Sequence, residues 1–458
     1  MSHHHTIIGH FGSADKSTLP ARVGDIVTEL DLVAGEKKLD HGIGRALDDL
    51  SRMGVVPTEI GLDLLILAAH VHAADTRISR DSESQDTWTR EIRLVVPVSD
   101  TQKWGKTSGL LGRMLNFLTG DKWEIEFRAR PATFAALVPA ASLQVTPFDR
   151  VSLFSGGLDS LIGAIDTLED GCSPLLVSHA GEGAVSNSQA ALFAKLEKAY
   201  SSRSFDRFRL WMSFAKDLIK DAGQENTTRA RSFLFIATAA FVGSGLRRTF
   251  TIVVPENGFI ALNVPLDPLR LGAMSTRTTH PFFLARWNEL LSALGIAGEV
   301  RNPYWDKTKG EMVQRCKNLS LLRSIVGESL SCASPTKGRW LGQSTGHCGY
   351  CLPCLIRRAA LHAGLGVSDP TPYSIPDLAA QPLDAEQAEG QQVRSFQFAI
   401  QRLKSKPKLA DLLIHKPGRL SDLSASEQAA LAGVYARGLA EVGSLLAKVR
   451  TISAATGT

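Results

Sequence analysis

The chain has 458 residues, 44% of them hydrophobic and 21% charged, with a formal net charge of +5. That composition excludes a disordered polyelectrolyte, and no run approaches the roughly 20 apolar residues that span a bilayer. The basic excess suits phosphorylated ligands but is too small to argue for nucleic acid by itself. At roughly 100–200 residues per domain the length predicts two to four domains.

The opening "MSHHHTIIGHFGSADK" lacks the basic segment and long apolar run of a signal peptide, so a cytoplasmic protein is expected. Clustered cysteines are then read as metal ligands before disulfides. His3 to His5 are too few for a purification tag and are expected to be too flexible for a metal site.

Residues 1–148 read as a separate α+β extension. Its segment 60–75 is apolar enough for a strand or a buried helix, and His70 and His72 within it read as core or edge histidines. Residues 91–98 and 122–129 alternate like strands, and 108–120 reads as a short helix stopped at Gly120. "DTQKWGKT" imitates a Walker loop, but Asp100 stands where that motif needs glycine, so a surface turn is the better reading.

From 149 to 285 strands alternate with helices. "RVSLFS", "SPLLVSHA", "FRLWMSF" and "TFTIVVPE" read as strands, with helices after the first three. Such alternation predicts an α/β fold with a parallel sheet. Residues 286–365 read as a helical module carrying a cysteine cluster. Residues 366–393, rich in Pro, Asp, Gln and Gly, read as a linker or long loop. The C-terminal extension carries helices, one of them opened by a capping box of Ser424 and Glu427.

The first of those strands runs into Ser155-Gly156-Gly157-Leu158-Asp159-Ser160. A strand, two glycines and a helix start place backbone N–H groups and a helix dipole together, which makes an anion site. Ser155 and Ser160 add hydroxyls, and Asp159 makes sense beside phosphates if it holds Mg²⁺. The plainer alternative is a well-capped strand–helix turn. Cys332, Cys348, Cys351 and Cys354 form two Cys-x-x-Cys steps sharing Cys351, with a fourth thiol upstream. Four thiolates suit a closed tetrahedral Zn²⁺ site. An iron–sulfur cluster is a second alternative, free loop thiols are a third, and His347 is a substitute ligand. Cys172 and Cys316 read as small packing residues.

Ser-Gly-Gly-x-Asp-Ser resembles the signature of the N-type ATP pyrophosphatases, the PP-loop fold. Together with Cys-Gly-x-Cys-x-x-Cys-x-x-Arg, ending at Arg357, the chain resembles the 7-cyano-7-deazaguanine synthase (QueC) family. Arg231 matches that family's arginine at a helix start, with Ser232 where asparagine is usual. Thr308, Lys309 and Glu311 match its Thr-Lys-x-Glu segment. The segments 256–266 and 275–281 take the place of its substrate loop without copying the wording. The likeness covers about 149–365. Long QueC-like proteins with such extensions occur in anti-phage defence gene clusters, including the Qat type, and this chain looks more like those.

The resemblance implies ATP-dependent adenylation of 7-carboxy-7-deazaguanine, then amine attack giving an amide or nitrile. Ser155, Gly156, Gly157, Leu158 and Ser160 would hold pyrophosphate, with Asp159 on Mg²⁺ and Lys309 and Arg231 offsetting phosphate charge. His179 would lie by the adenine. Ser275, Thr276, Arg277 and His280 are candidates to read the deazaguanine, and the cysteines would hold Zn²⁺. Implied partners are the small-molecule substrate, a protein of the same gene cluster as amine acceptor, and a second copy in a homodimer; no membrane is expected. The rival readings are another amidating or tRNA-modifying PP-loop enzyme, and an inactive scaffold binding a partner or nucleic acid through the zinc module and "KSKPK" (404–408).

Overall fold

The computed structural model describes residues 3–16, 22–35, 38–139, 146–180, 183–219, 222–223, 225, 227–267, 277–336, 345–366 and 369–452. Two parallel sheets organise the described residues as far as Arg301. The N-terminal sheet holds β1 (His4–His10), β2 (Asp25–Asp31), β3 (Glu91–Val98) and β4 (Lys122–Ala129) in the order β2-β1-β3-β4. Every pairing in it is parallel. This corrects the α+β expectation for residues 1–148, which form an α/β unit. Helices α1 (Ile43–Arg52) and α2 (Glu59–Arg77) lie between β2 and β3, and α3 (Ser108–Thr119) between β3 and β4. The ambiguous apolar run 60–75 is thus helix. Its lack of amphipathic period reflects burial of nearly every side chain from Gly61 to Thr76. Gly120 ends α3 in the left-handed conformation, φ 79°.

His3–His5 are ordered, against the expectation of a flexible tail. His5 is buried in β1, and its Nε2 and the Nδ1 of His3 both meet Glu83 Oε2, at 3.0 and 2.9 Å. The Walker-like stretch is a short helix, Thr101–Gly105, capped by Asp100, whose side chain accepts from Lys103 N.

The second sheet contains β5 (Arg150–Leu153), β6 (Pro174–His179), β7 (Asp206–Leu210), β8 (Phe250–Val253) and β9 (Gly298–Arg301) in the order β9-β8-β5-β6-β7. All four pairings are parallel. The crossover helices are α4 (Leu158–Glu169), α5 (Gly183–Ala199), α6 (Arg231–Ser244) and α7 (Pro281–Leu294). The chain steps from β5 outward to β7, then returns to the other side of β5 for β8. The strand order therefore reverses at β5, and in open α/β sheets ligands bind outside the strand ends at such a reversal.

Helices α2 and α6 weld the sheets together. They run antiparallel: Thr58 N donates to Ser244 Oγ at 3.1 Å at one end, and Ala230 N donates to Asp75 Oδ2 at 2.8 Å at the other. Gly61 is required there, since a Cβ would sit 2.2 Å from Ser244 Oγ. One apolar core runs from Ile7 through both sheets to Val300. A second core joins α9 (Leu352–Leu365), α10 (Ala388–Ser405) and α11 (Ala425–Leu445) to the short helix Gly258–Leu262. The Pro-rich stretch 366–393 is tied down where described. Arg358 donates to Ile375 O and Pro376 O, and Leu383–Asp384 pairs with Thr451–Ile452. No described helix is long and apolar enough to cross a membrane.

Candidate functional site

The turn after β5 is held from three sides. Gly156 has φ 82°, open to glycine at no steric cost. Its carbonyl accepts from Leu330 N at 2.8 Å and from Ser188 Oγ at 3.0 Å. A Cβ at Gly156 would lie 3.1 Å from Gln189 Cγ and 3.2 Å from Gln189 N and Ser188 Oγ. Gly157 caps α4, Gly157 N donates to Ser155 Oγ at 3.3 Å, and Leu158 N donates to Ser331 Oγ at 3.2 Å. Ser155 Oγ donates to Ser160 Oγ at 3.2 Å. The result is a tightly held N-terminus of a 12-residue helix, its first amides facing the hydroxyls of Ser155 and Ser331; helix N-termini favour anions.

A cavity of about 390 Å³ opens on this turn. Ser155 and Ser160 line it with Arg231, Phe235, Glu256 and Cys332. Arg231 lies over the Phe235 ring, 5.3 Å from its centroid. Thr278 and Thr279 also face the cavity. Of the residues expected to read a base, Ser275 and Thr276 fall outside the described positions. The structure does not bring Arg277 or His280 into the cavity. Arg277 donates to Phe117 O at 2.8 Å and covers that ring. His280 caps α7, accepting from Phe282 N at 3.2 Å, and is buried against Phe117. His179 ends β6, buried, with its ring edge-on to Phe235 at 6.0 Å.

Behind the turn lies a buried charge cluster. Asp159, on the first turn of α4, meets Lys309 Nζ at 3.1 Å, and both side chains are at most 7% exposed. Lys309 is brought there by the capping box of Thr308 and Glu311, which starts helix α8 (Lys309–Gln314). Glu441 of α11 buttresses that start, accepting from Thr308 Oγ1 and Gly310 N. Asn257 donates to Asp159 Oδ2 from its side chain at 2.7 Å and its backbone at 3.2 Å. Burial works to raise the Asp159 pKa, but Lys309 and the hydrogen bonds from Glu256 and Asn257 outweigh it and hold it below the usual range. Burial and the Asp159 charge push Glu256 well above its ordinary value. Glu256, which also lines the cavity, is thus biased toward its protonated form beside a charged Asp159. Paired carboxyl oxygens are the donor type that hard divalent cations take.

Sequence reasoning missed Glu256 and Asn257 as partners of Asp159. The available signal was an acid at the end of the fourth strand, in "VVPEN", at the sheet edge where ligands bind.

The four cysteines converge. Cys332 Sγ lies 3.9 Å from Cys351 Sγ, and Cys348 Sγ 3.9 Å from Cys354 Sγ; all four lie within 4.8 Å of one another. Zn–S bonds of about 2.3 Å in a tetrahedron separate the sulfurs by roughly 3.8 Å, so this group could hold a metal such as zinc. Gly349, at φ 90°, makes the knuckle, and a Cβ there would lie 2.9 Å from Ile375 O. His347 is not part of the group: its Nε2 accepts from Ser331 N at 3.0 Å and its ring stands against Tyr373. Cys172 and Cys316 lie apart from it.

Arg357 is fully buried, donating to Ser329 Oγ (2.7 Å), Val326 O (2.8 Å) and Thr371 Oγ1 (3.0 Å). It fixes the segment that carries Leu330 and Ser331 against the glycine turn. No protein-family model and no curated protein matches this chain.

Proposed function

We propose that the chain activates a carboxylate with ATP by a PP-loop mechanism and passes the acyl group to an amine, with 7-carboxy-7-deazaguanine as the carboxylate. The observation that carries the reading is the Ser155–Ser160 turn at the strand reversal, opening on one cavity with Arg231, Glu256 and Cys332.

A carboxylate is ionised at neutral pH and needs no base. Its oxygen attacks the α-phosphorus, the bond to the β-phosphate bridging oxygen breaks, and pyrophosphate leaves. The hydroxyls of Ser155 and Ser160 would hold the departing pyrophosphate, joined by the amides of Gly157 and Leu158 as they exchange their serine partners for it. Arg231 in the cavity would offset its charge, with Lys309 acting from behind Asp159. Magnesium would be held by Asp159 and Glu256 and would neutralise phosphate charge. The amine nitrogen then attacks the acyl carbon, AMP leaves, and the amine loses a proton. A metal such as zinc at the four cysteines would stiffen the wall that carries Cys332 and Ser331.

The extensions, the resemblance to the long defence type, and an amine as second reactant together support a partner protein's N-terminus as acceptor. Pyrophosphate release from ATP, followed with and without 7-carboxy-7-deazaguanine, tests the first half. Acid-dependent release is expected; release that ignores the acid, or that answers to tRNA instead, refutes the reading. Intact-mass measurement of candidate partners tests the second half, and an unchanged mass for every partner refutes protein conjugation.

A further inference from the structure

The resemblance does not reach helix α2, yet α2 ends against the wall of the cavity. The His72 ring meets His179 edge-on, with centroids 5.6 Å apart and planes at 82°. His179 in turn meets Phe235 edge-on, and Phe235 lines the cavity beneath Arg231. Phe214 closes the far side of His72 at 5.9 Å.

His72 Nδ1 is buried without a hydrogen-bond partner, and the His179 ring has none beyond a loose backbone contact with Met212. An unsatisfied buried polar atom costs about 1–3 kcal/mol, and in native structures it calls for an explanation such as a bound group. Burial, then neighbouring His179, Arg77 and Arg231, push His72 down to about 3; burial and Arg231 push His179 to about 4. Both rings are therefore neutral, each with one N–H and one lone pair, which matches the mixed donor–acceptor edge of a purine.

The same helix governs the start of α6. Asp75 accepts from Ala230 N, the residue before Arg231, and is itself gripped by Arg90 at 3.2 Å. Helix α2 thus stands behind two lining residues, behind Phe235 through His179 and behind Arg231 through Ala230.

We infer that α2 of the N-terminal unit closes the base end of the nucleotide site, with His72 a positioning residue that holds His179 to recognise a purine edge. The inference rests on the nucleotide reading above. It gives the N-terminal unit a part in selecting the nucleotide.

Tripolyphosphate is a base-free probe of the glycine turn, so full-length protein is titrated with tripolyphosphate, ATP and GTP. His72→Ala is expected to weaken ATP about tenfold and leave tripolyphosphate unchanged. It is expected to narrow the preference between ATP and GTP. His72→Gln, which keeps a polar tip, is expected to restore part of the affinity. In a double-mutant cycle, adding His72→Ala to His179→Ala is expected to cost nothing further. Unchanged ATP affinity in His72→Ala, or equal loss for ATP and tripolyphosphate, overturns the inference while leaving the nucleotide reading standing. Wild-type protein that binds neither ATP nor tripolyphosphate refutes that reading itself, and this inference with it.

Discussion

Replacing Lys309 by methionine removes the ion-pair partner of Asp159 while keeping most of the side-chain length. Both groups are nearly inaccessible and 3.1 Å apart, so Asp159 would be left as a buried carboxylate facing Glu256. Breaking a buried pair by deleting one partner costs about 3–5 kcal/mol. Asn257 still gives Asp159 Oδ2 two hydrogen bonds, which puts the expected loss at the low end, about 3 kcal/mol. The remedy for an uncompensated charge is to remove the other one. Lys309→Met with Asp159→Asn is therefore expected to recover most of the loss, and lowering the pH toward 5 to narrow the deficit of the single variant. Urea unfolding of wild type and the two variants, without nucleotide or divalent cation, measures this. A single variant as stable as wild type, or a double variant no more stable than the single, would refute the assignment of a buried charge cluster behind the turn.

Gly156→Ala forces a left-handed residue, costing about 1–2 kcal/mol, and crowds Gln189 and Ser188; a lower melting temperature and lost tripolyphosphate binding are expected. The Asp159–Glu256 pair should release protons when magnesium binds, and proton uptake or silence in weakly buffered titrations would count against a shared cation site. The raised Glu256 pKa means that its contribution to stability is complete below its unfolded value and falls as pH rises through the folded one. Glu256→Gln should therefore flatten the alkaline side of the stability–pH curve. His280→Ala removes the cap of α7 and is expected to cost about 1 kcal/mol in denaturant unfolding. Arg357→Lys cannot satisfy Ser329, Val326 and Thr371 together, and an unfolding transition several degrees lower is expected by calorimetry.

Much of this was legible in the chain before any fold. A strand running into Ser-Gly-Gly, a helix start at Leu158, the stop at Gly120 and the capping boxes at Thr308 and Ser424 are local events. Glycine conformation, side-chain capping and alternation fix them within a few residues. The cysteines were legible as a metal-type group for the same reason, since three of them fall within seven residues.

What sequence spacing could not supply is which distant groups meet. Asp159, Asn257 and Lys309 come from three segments, and only the order β9-β8-β5-β6-β7 and the packing of α8 bring them together. Arg277 and His280 are as polar as any site residue, yet Phe117 of the N-terminal unit offered them partners and took them out of the cavity. Helix α2 looked ambiguous because burial on all sides erased its period, and its Asp75 and His72 acquire meaning only against α6 and β6. Local chemistry along the backbone decided the turns and caps; burial, which depends on what every other segment does, decided the company each charged group keeps.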